Sequence, residues 1–317
     1  MAQLSPEAQA AARGFGIGHI RSENNASAGI SSGARLIASE TGIYVLRRMR
    51  GREQALTEYR IAEALKGRSV CPEIRIASDG NPWIESESAF YNLQHYIEPL
   101  PPGAVVVDFE ELGAKAGLLH TALSGLELDA QPDRFELQSK WSAFLARYPG
   151  AERNAAVKRI GTAVSACSEA EDAARAARSG QEKAAESYIH GDLGRWNLVF
   201  GAEGARIIDF GEVRRGDRHF DLAALLVSTL ELKGTETARR NLRAFKRGYE
   251  ERAIRIEDTL LHAAIRLWNV RGAAALLESR GPDEKVLRYA ESLLVRVDDY
   301  EKLLFDKESG KSQKVQT

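Results

Sequence analysis

Hydrophobic and polar positions change period several times along the chain, and each change marks an element. The first alternation is short: Ala34-Arg-Leu-Ile-Ala38, a turn at Glu40-Thr-Gly42, then Ile43-Tyr-Val-Leu-Arg-Arg48. This pattern predicts a β-hairpin. From Glu53 to Leu65, apolar Ala55, Ile61, Ala62 and Leu65 recur at helical spacing, and strand-like runs return around Trp83-Ile84 and from Ala89 to Ile97. Residues 1–98 therefore predict a small sheet with one helix. Pro99, Pro101, Pro102 and Gly103 then break the pattern, and punctuation of that density marks a connector and a lobe boundary.

Beyond it the period is helical. Phe109 to Leu123 and Ala155 to Ala177 predict packing helices, the second with a clear stripe of Ala156, Ile160, Val164 and Cys167. Thr235 to Leu304 predicts a further helical block, in which Arg239, Arg240, Arg243, Lys246, Arg247, Glu250 and Glu251 form a solvated face. The expected organisation is an N-terminal lobe at 1–98, a larger, mostly helical lobe at 99–305 and a flexible polar tail at 306–317. Length agrees, since 317 residues exceed the roughly 250–300 that one hydrophobic core usually serves.

Composition narrows the function classes. The 44 Lys+Arg against 45 Asp+Glu give a net charge of −1, which argues against nucleic-acid binding through bulk positive charge. Cys71 and Cys167 are far apart, with no CxxC and no His-rich neighbourhood, so neither a zinc site nor a disulfide framework is expected. The first residues lack the build of a signal peptide, and no uncharged apolar run reaches the length of a membrane span. A cytoplasmic protein with no membrane contact is the expectation.

One β-rich island interrupts the helices. Asn197 to Phe200 and Ala205 to Phe210 are apolar runs separated by Gly201-Ala-Glu-Gly204, a hairpin signal. Asp192 and Asn197 precede the first strand and Asp209 follows the second, so antiparallel pairing brings three oxygen-bearing side chains to one end. Hard oxygen ligands of this kind suit Mg²⁺, which takes one or two carboxylates together with substrate phosphates. Phosphoryl transfer uses such parts: one Asp to orient a hydroxyl, an Asn five residues on and a second Asp past a hairpin to hold metal.

His190-Gly-Asp192-x-x-x-x-Asn197 followed by Ile208-Asp209-Phe210-Gly211 resembles the aminoglycoside phosphotransferase and choline kinase family, which is built on a two-lobed protein-kinase-like α+β fold. The resemblance spans about residues 15–300 and is most specific over 189–225. It implies ATP as co-substrate, Mg²⁺ on Asn197 and Asp209, Asp192 as the catalytic residue, and His190 and Asp221 as supports of the loop. It further implies that Arg47 on a strand contacts phosphate with Glu58 as its ion-pair partner, that Tyr96-Ile97-Glu98 is the nucleotide hinge, and that Leu118-Leu-His120 is a helix end of the second lobe. Arg48 points to the opposite face from Arg47.

Departures accompany the match. Arg47 stands where Lys is common, and Gly194-Arg195-Trp196 replaces a His-Pro-Gly. The phosphate-covering loop falls on Asn24 to Gly33 without a GxGxxG, Gly14-Phe-Gly16-Ile-Gly18 reads as a turn, and no Walker A sequence exists. His19, His95, His219 and His262 read as ordinary histidines. The expected acceptor is a hydroxyl of a small molecule. Eight Lys/Arg against six Asp/Glu over Thr229–Asp258 disfavour a polycationic one. A peptide Ser/Thr kinase of natural-product biosynthesis, paired with a partner lyase, and a nucleotide-binding pseudokinase scaffold are the alternatives.

Overall fold

The chain begins with a helix that the alternation did not announce. In the computed structural model, which describes residues 4–25, 34–129, 132–133, 135–178 and 187–306, helix α1 (Pro6–Phe15) is capped by Ser5, whose side chain accepts from the Ala8 N–H. It stops at Gly16, left-handed at φ 60°. The expectation of one helix in residues 1–98 is thus corrected to two. The reason lies in its buried stripe, Ala8, Ala11 and Phe15: two of the three residues are too small to give a strong periodic signal. Its capping signals, Ser-Pro at one end and Gly at the other, were nonetheless legible. The turn read at Gly14 to Gly18 contains this cap.

Strands β1 (Ile20–Asn25), β2 (Ala34–Ser39) and β3 (Ile43–Met49), helix α2 (Arg52–Ala64), and strands β4 (Ile84–Ser86) and β5 (Ala89–His95) follow. The strands form an antiparallel sheet in the order β1-β2-β3-β5-β4. Both faces of β3 are covered. Tyr44 and Leu46 join Ala8, Phe15, Ile37, Tyr91 and Leu93 in a core against α1, whereas Val45 and Arg47, also buried, lie on the alternate face. Arg47 is paired in register with Asn92 of β5.

After β5 the chain passes Tyr96 and Ile97, where the Leu100 N–H donates to the Phe200 carbonyl at 2.8 Å. It then enters α3 (Phe109–Ser124), α4 (Leu137–Arg147) and α5 (Ala155–Arg178). The pattern did not predict α4, although Leu137, Trp141 and Phe144 are buried along one side of it. Short strands β6 (Ser187–Ile189), β7 (Leu198–Gly201), β8 (Gly204–Ile207) and β9 (Arg214–Gly216) carry the island. β6 pairs with β9 and β7 with β8, Leu198 opposite Ile207 and Gly201 opposite Gly204. Helices α6 (Arg218–Thr229), α7 (Thr235–Glu250), α8 (Asp258–Arg280) and α9 (Glu284–Phe305) complete the described chain.

Two compact units result. One comprises Met1–Pro132, Glu186–Asp221 and Arg243–Arg255, the other Asp133–Ala185, Leu222–Leu242 and Ile256–Thr317. The sequence-based boundary at 98/99 lies inside the first. The core of the second unit joins the predicted stripe of α5 to Trp141 and Phe144 and to Val270, Ala274, Leu277 and Leu287. The phosphate-loop assignment from residue 26 to 33, and the tail from 307 on, lie outside the described residues. No helix among the described residues is long and apolar enough to cross a membrane.

Within the first unit, α3 meets the C-terminal part of α7 backbone to backbone. A Cβ at Gly248 would lie 1.9 Å from the Glu110 carbonyl oxygen, and one at Gly113 2.1 Å from that of Phe245. Overpacking of this kind costs about 1–3 kcal/mol and outweighs the roughly 1 kcal/mol that Ala gains over Gly in a helix. With a backbone oxygen as the clashing atom, the upper end of that cost applies, and Gly248→Ala is expected to lower stability by about 2 kcal/mol in urea unfolding. Gly272→Ala, at an exposed position of α8 where the new Cβ meets nothing closer than 3.4 Å, is expected to raise it by up to about 1 kcal/mol.

Candidate active site

The β7–β8 hairpin sets the geometry of the site. The Ile208 N–H donates to the Asn197 carbonyl at 3.0 Å, extending the ladder by one step and leaving Asp209 just past it. Asp209 is left-handed at φ 63° and ψ 71°, with its side chain accepting from the Gly211 N–H. Such a backbone is uncommon for a residue other than Gly, and Asp is among the side chains that tolerate it.

Arg47 reaches Asp209 from the sheet. Its Nη2 lies 2.7 Å from Oδ1 of Asp209 and its Nη1 3.0 Å from Oε2 of Glu58, so one guanidinium bridges two carboxylates. Glu58, fully buried on α2, also accepts from Asn92 at 3.1 Å, Gln94 at 3.3 Å and Gln54 at 2.9 Å. Burial disfavours the charge on Arg47, but Glu58 and Asp209 outweigh it and raise its pKa. Burial likewise pushes the Asp209 carboxyl up, and Arg47 reverses the sign, holding it below the usual carboxylate range.

Asp192 differs. Its Oδ2 accepts from Nε1 of Trp196 and Nδ2 of Asn197, both at 3.0 Å, and that Nδ2 also donates to the Asp192 carbonyl at 2.8 Å. Burial raises its pKa despite these donors. Two carboxylates lining one cavity are thus driven in opposite directions, one toward higher proton affinity and one toward persistent charge.

The loop that presents Asp192 is braced from behind. His190, fully buried, contacts the Ile208 carbonyl through Nε2 at 3.0 Å and receives the Asp192 N–H on Nδ1 at 3.3 Å. A proton on Nε2 satisfies both. Asp221 accepts the His190 N–H at 2.6 Å and the Gly191 N–H at 2.9 Å, and lies 3.1 Å from Nε2 of His120. His120 in turn meets the Tyr249 hydroxyl at 2.9 Å. Gly191 sits at φ 83°, and a Cβ there would lie 2.1 Å from Nη1 of Arg214 and 2.3 Å from the Glu212 carbonyl oxygen, so conformation and space both require glycine.

These side chains surround a cavity of about 330 Å³ lined by Arg47, Asp192, Trp196, Asn197 and Asp209, and by Val45, Pro72, Gln94, His95, Tyr96, Ile97, Val199 and Ile208. Of the residues singled out in the sequence, Arg47, Tyr96, Ile97, Asp192, Asn197 and Asp209 line it. Glu58, His190 and Asp221 stand behind them. Arg48 is exposed. Sequence reading missed Gln54, Asn92 and Gln94 as partners of Glu58, although Asn92 and Gln94 share one face of β5 by the period of two. His95, read as ordinary, lines the cavity. His120, expected at a helix end, lies within α3 as a partner of Asp221 and Tyr249, contacts that no local pattern announces.

Whether a divalent cation fits can be judged from the donor set. Among the described residues no group of three or more His, Cys, Asp or Glu side chains could hold one, so protein carboxylates and imidazoles do not form a closed cage. Asp209 is an ionised oxygen donor, and Asn197, whose Nδ2 is spent on Asp192, turns its amide oxygen the other way. That pair suits Mg²⁺ completed by phosphate oxygens and water.

Asp221 gives a test of the brace. Burial raises its pKa, but the hydrogen bond from His120 and the others it accepts hold it below the carboxylate range. A depressed pKa adds stability that is complete above the unfolded value, about 3.9, and is lost as pH falls through the folded one. Asp221→Asn turns an N–H toward the loop donors and is expected to cost about 3 kcal/mol at pH 7. In urea titrations the deficit should hold constant to about pH 5 and shrink only below about pH 4.

None of the curated proteins matches the chain in sequence. Solved structures match over nearly the whole length. An aminoglycoside phosphotransferase from Alicyclobacillus acidocaldarius superposes with a TM-score of 0.68 at 15% identity, covering 96% of this chain and 95% of that one. Amicoumacin kinase, solved with AMP-PNP, Ca²⁺ and Ami, gives 0.65 at 13% identity over 94% and 92%. Choline kinase LicA from Streptococcus pneumoniae gives 0.58 at 17% identity over 88% and 94%. These likenesses show a kinase-like fold, in which an antiparallel sheet lobe joins a helical C-terminal part. Residues 25–255 match the phosphotransferase enzyme family, and this chain belongs to that family.

Proposed function

We propose that this protein is an ATP-dependent kinase that transfers the γ-phosphoryl group to a hydroxyl of a small molecule. The observation that carries the reading is the convergence of Asp192, Asn197, Asp209 and Arg47 on one cavity, with the proton affinity of Asp192 shifted up and that of Asp209 shifted down. A base needs proton affinity and a metal ligand needs charge, and the same residue type supplies both here. Similarity to kinases solved with nucleotide supports ATP as donor.

In this reading the nucleotide base lies among Val45, Tyr96, Ile97, Val199 and Ile208, and its phosphates extend toward Arg47. Asn197 and Asp209 would hold Mg²⁺, which when bound neutralises the charge of the phosphate oxygens. Arg47, fixed by Glu58, offers its guanidinium fork to the phosphates. Asp192 accepts a hydrogen bond from the acceptor hydroxyl and takes its proton as the oxygen bonds to phosphorus and the bond to ADP breaks. Most of the rate arises from positioning and charge stabilisation.

ADP release from Mg·ATP, measured across small hydroxyl compounds and Ser/Thr peptides, tests this. Stimulation by at least one small-molecule acceptor is expected, and EDTA should abolish it. Asp192→Asn should lower the rate roughly 10²–10⁴-fold with ATP affinity retained, whereas Asp209→Ala should remove the metal dependence of ATP affinity. Nucleotide binding indifferent to metal, with no acceptor phosphorylated, would overturn the reading in favour of a scaffold. Stimulation by peptides alone would move it to a peptide kinase.

A further inference from the structure

Trp196 lies in the loop between Asp192 and Asn197, and half of it is exposed to solvent. Its indole folds back over Gly194: a Cβ at that glycine would lie 2.2–2.5 Å from the ring atoms Cζ2, Cη2 and Cε2. The backbone of Gly194, at φ −97° and ψ 170°, is one that any residue adopts. A side chain there would push the ring off its seat. Seated in this way, the indole directs Nε1–H at Oδ2 of Asp192, 3.0 Å away.

Oδ2 therefore receives two donors from one loop, Trp196 and Asn197, and the carboxylate plane is fixed from two directions. On the kinase reading this leaves Oδ1 for the acceptor proton. A carboxylate held in one rotamer loses less entropy on reaching the reactive geometry, and an N–H bond to an ionised oxygen is among the stronger ones available. We propose that Trp196 is a positioning residue for phosphoryl transfer, seated by Gly194 and fixing the Asp192 carboxylate through its indole N–H. This rests on the kinase reading above for its effect on rate, while the hydrogen bond can be tested without it.

The full chain, labelled with ¹⁵N at its indoles, has tryptophans at 83, 141, 196 and 268, and Trp196→Phe assigns the relevant resonance. Both Asp192→Asn and Gly194→Ala are expected to move that signal, leaving the other three in place. With Mg·ATP and water as the acceptor probe, Trp196→Phe and Gly194→Ala should each lower kcat about tenfold, with KM for ATP and thermal midpoint unchanged. A resonance indifferent to Asp192→Asn, or a Trp196→Phe rate within twofold of wild type, would overturn the proposal. Should Asp192→Asn itself leave ATP turnover unchanged, the kinase reading falls and the resonance alone decides the positioning contact.

Discussion

The guanidinium of Arg47 is the point through which the sheet, helix α2 and the hairpin are joined. It is buried between Glu58 and Asp209, so removing Arg47 leaves two carboxylates without their shared cation, that of Glu58 fully buried. Losses of that kind are among the largest a single substitution can cause. The constraint is geometric as well as energetic. Glu58 is held by Gln54, Asn92 and Gln94, which places the guanidinium, and the guanidinium places Asp209 at the end of β8. Because Asn197 is tied to Ile208 through the ladder, the position of one donor fixes that of the other.

Three aspartates in this region show how environment distinguishes identical side chains. Asp221, surrounded by backbone N–H groups and His120, braces a loop from a fully buried position. Asp209 beside Arg47 keeps its charge. Asp192, buried with neutral donors around it, has the highest proton affinity of the three relative to the ordinary value. Burial disfavours ionisation in all of them, and the neighbours decide whether that tendency survives. The same loop closes on itself through His190, which spans from the backbone of Asp192 to the carbonyl just before Asp209.

Much of this was legible in order along the chain. The hairpin signal at Gly201 to Gly204 and the spacing of Asp192, Asn197 and Asp209 determined that the three side chains share an end, because antiparallel pairing with a short turn allows no other arrangement. Alternation determined the two strands that carry Arg47 and its neighbours, and the stripe of α5 determined its buried face. These are local consequences of periods of two and 3.6, readable from one sequence. What folding in three dimensions added are contacts between distant segments. Gln54 lies four residues before Glu58 on α2, a readable helical spacing, but neither His120 against Asp221 nor the reach of Asn92 and Gln94 from β5 to Glu58 has a spacing that marks it, since side chains brought together by packing of distant segments obey no period. Helix α1 escaped because alanines bury well against a sheet yet contribute little to a hydrophobic pattern. The direction in which each carboxylate's proton affinity moves is the furthest from the sequence, because it depends on how much water each one keeps and which donors point at it, and both are set only when the elements pack.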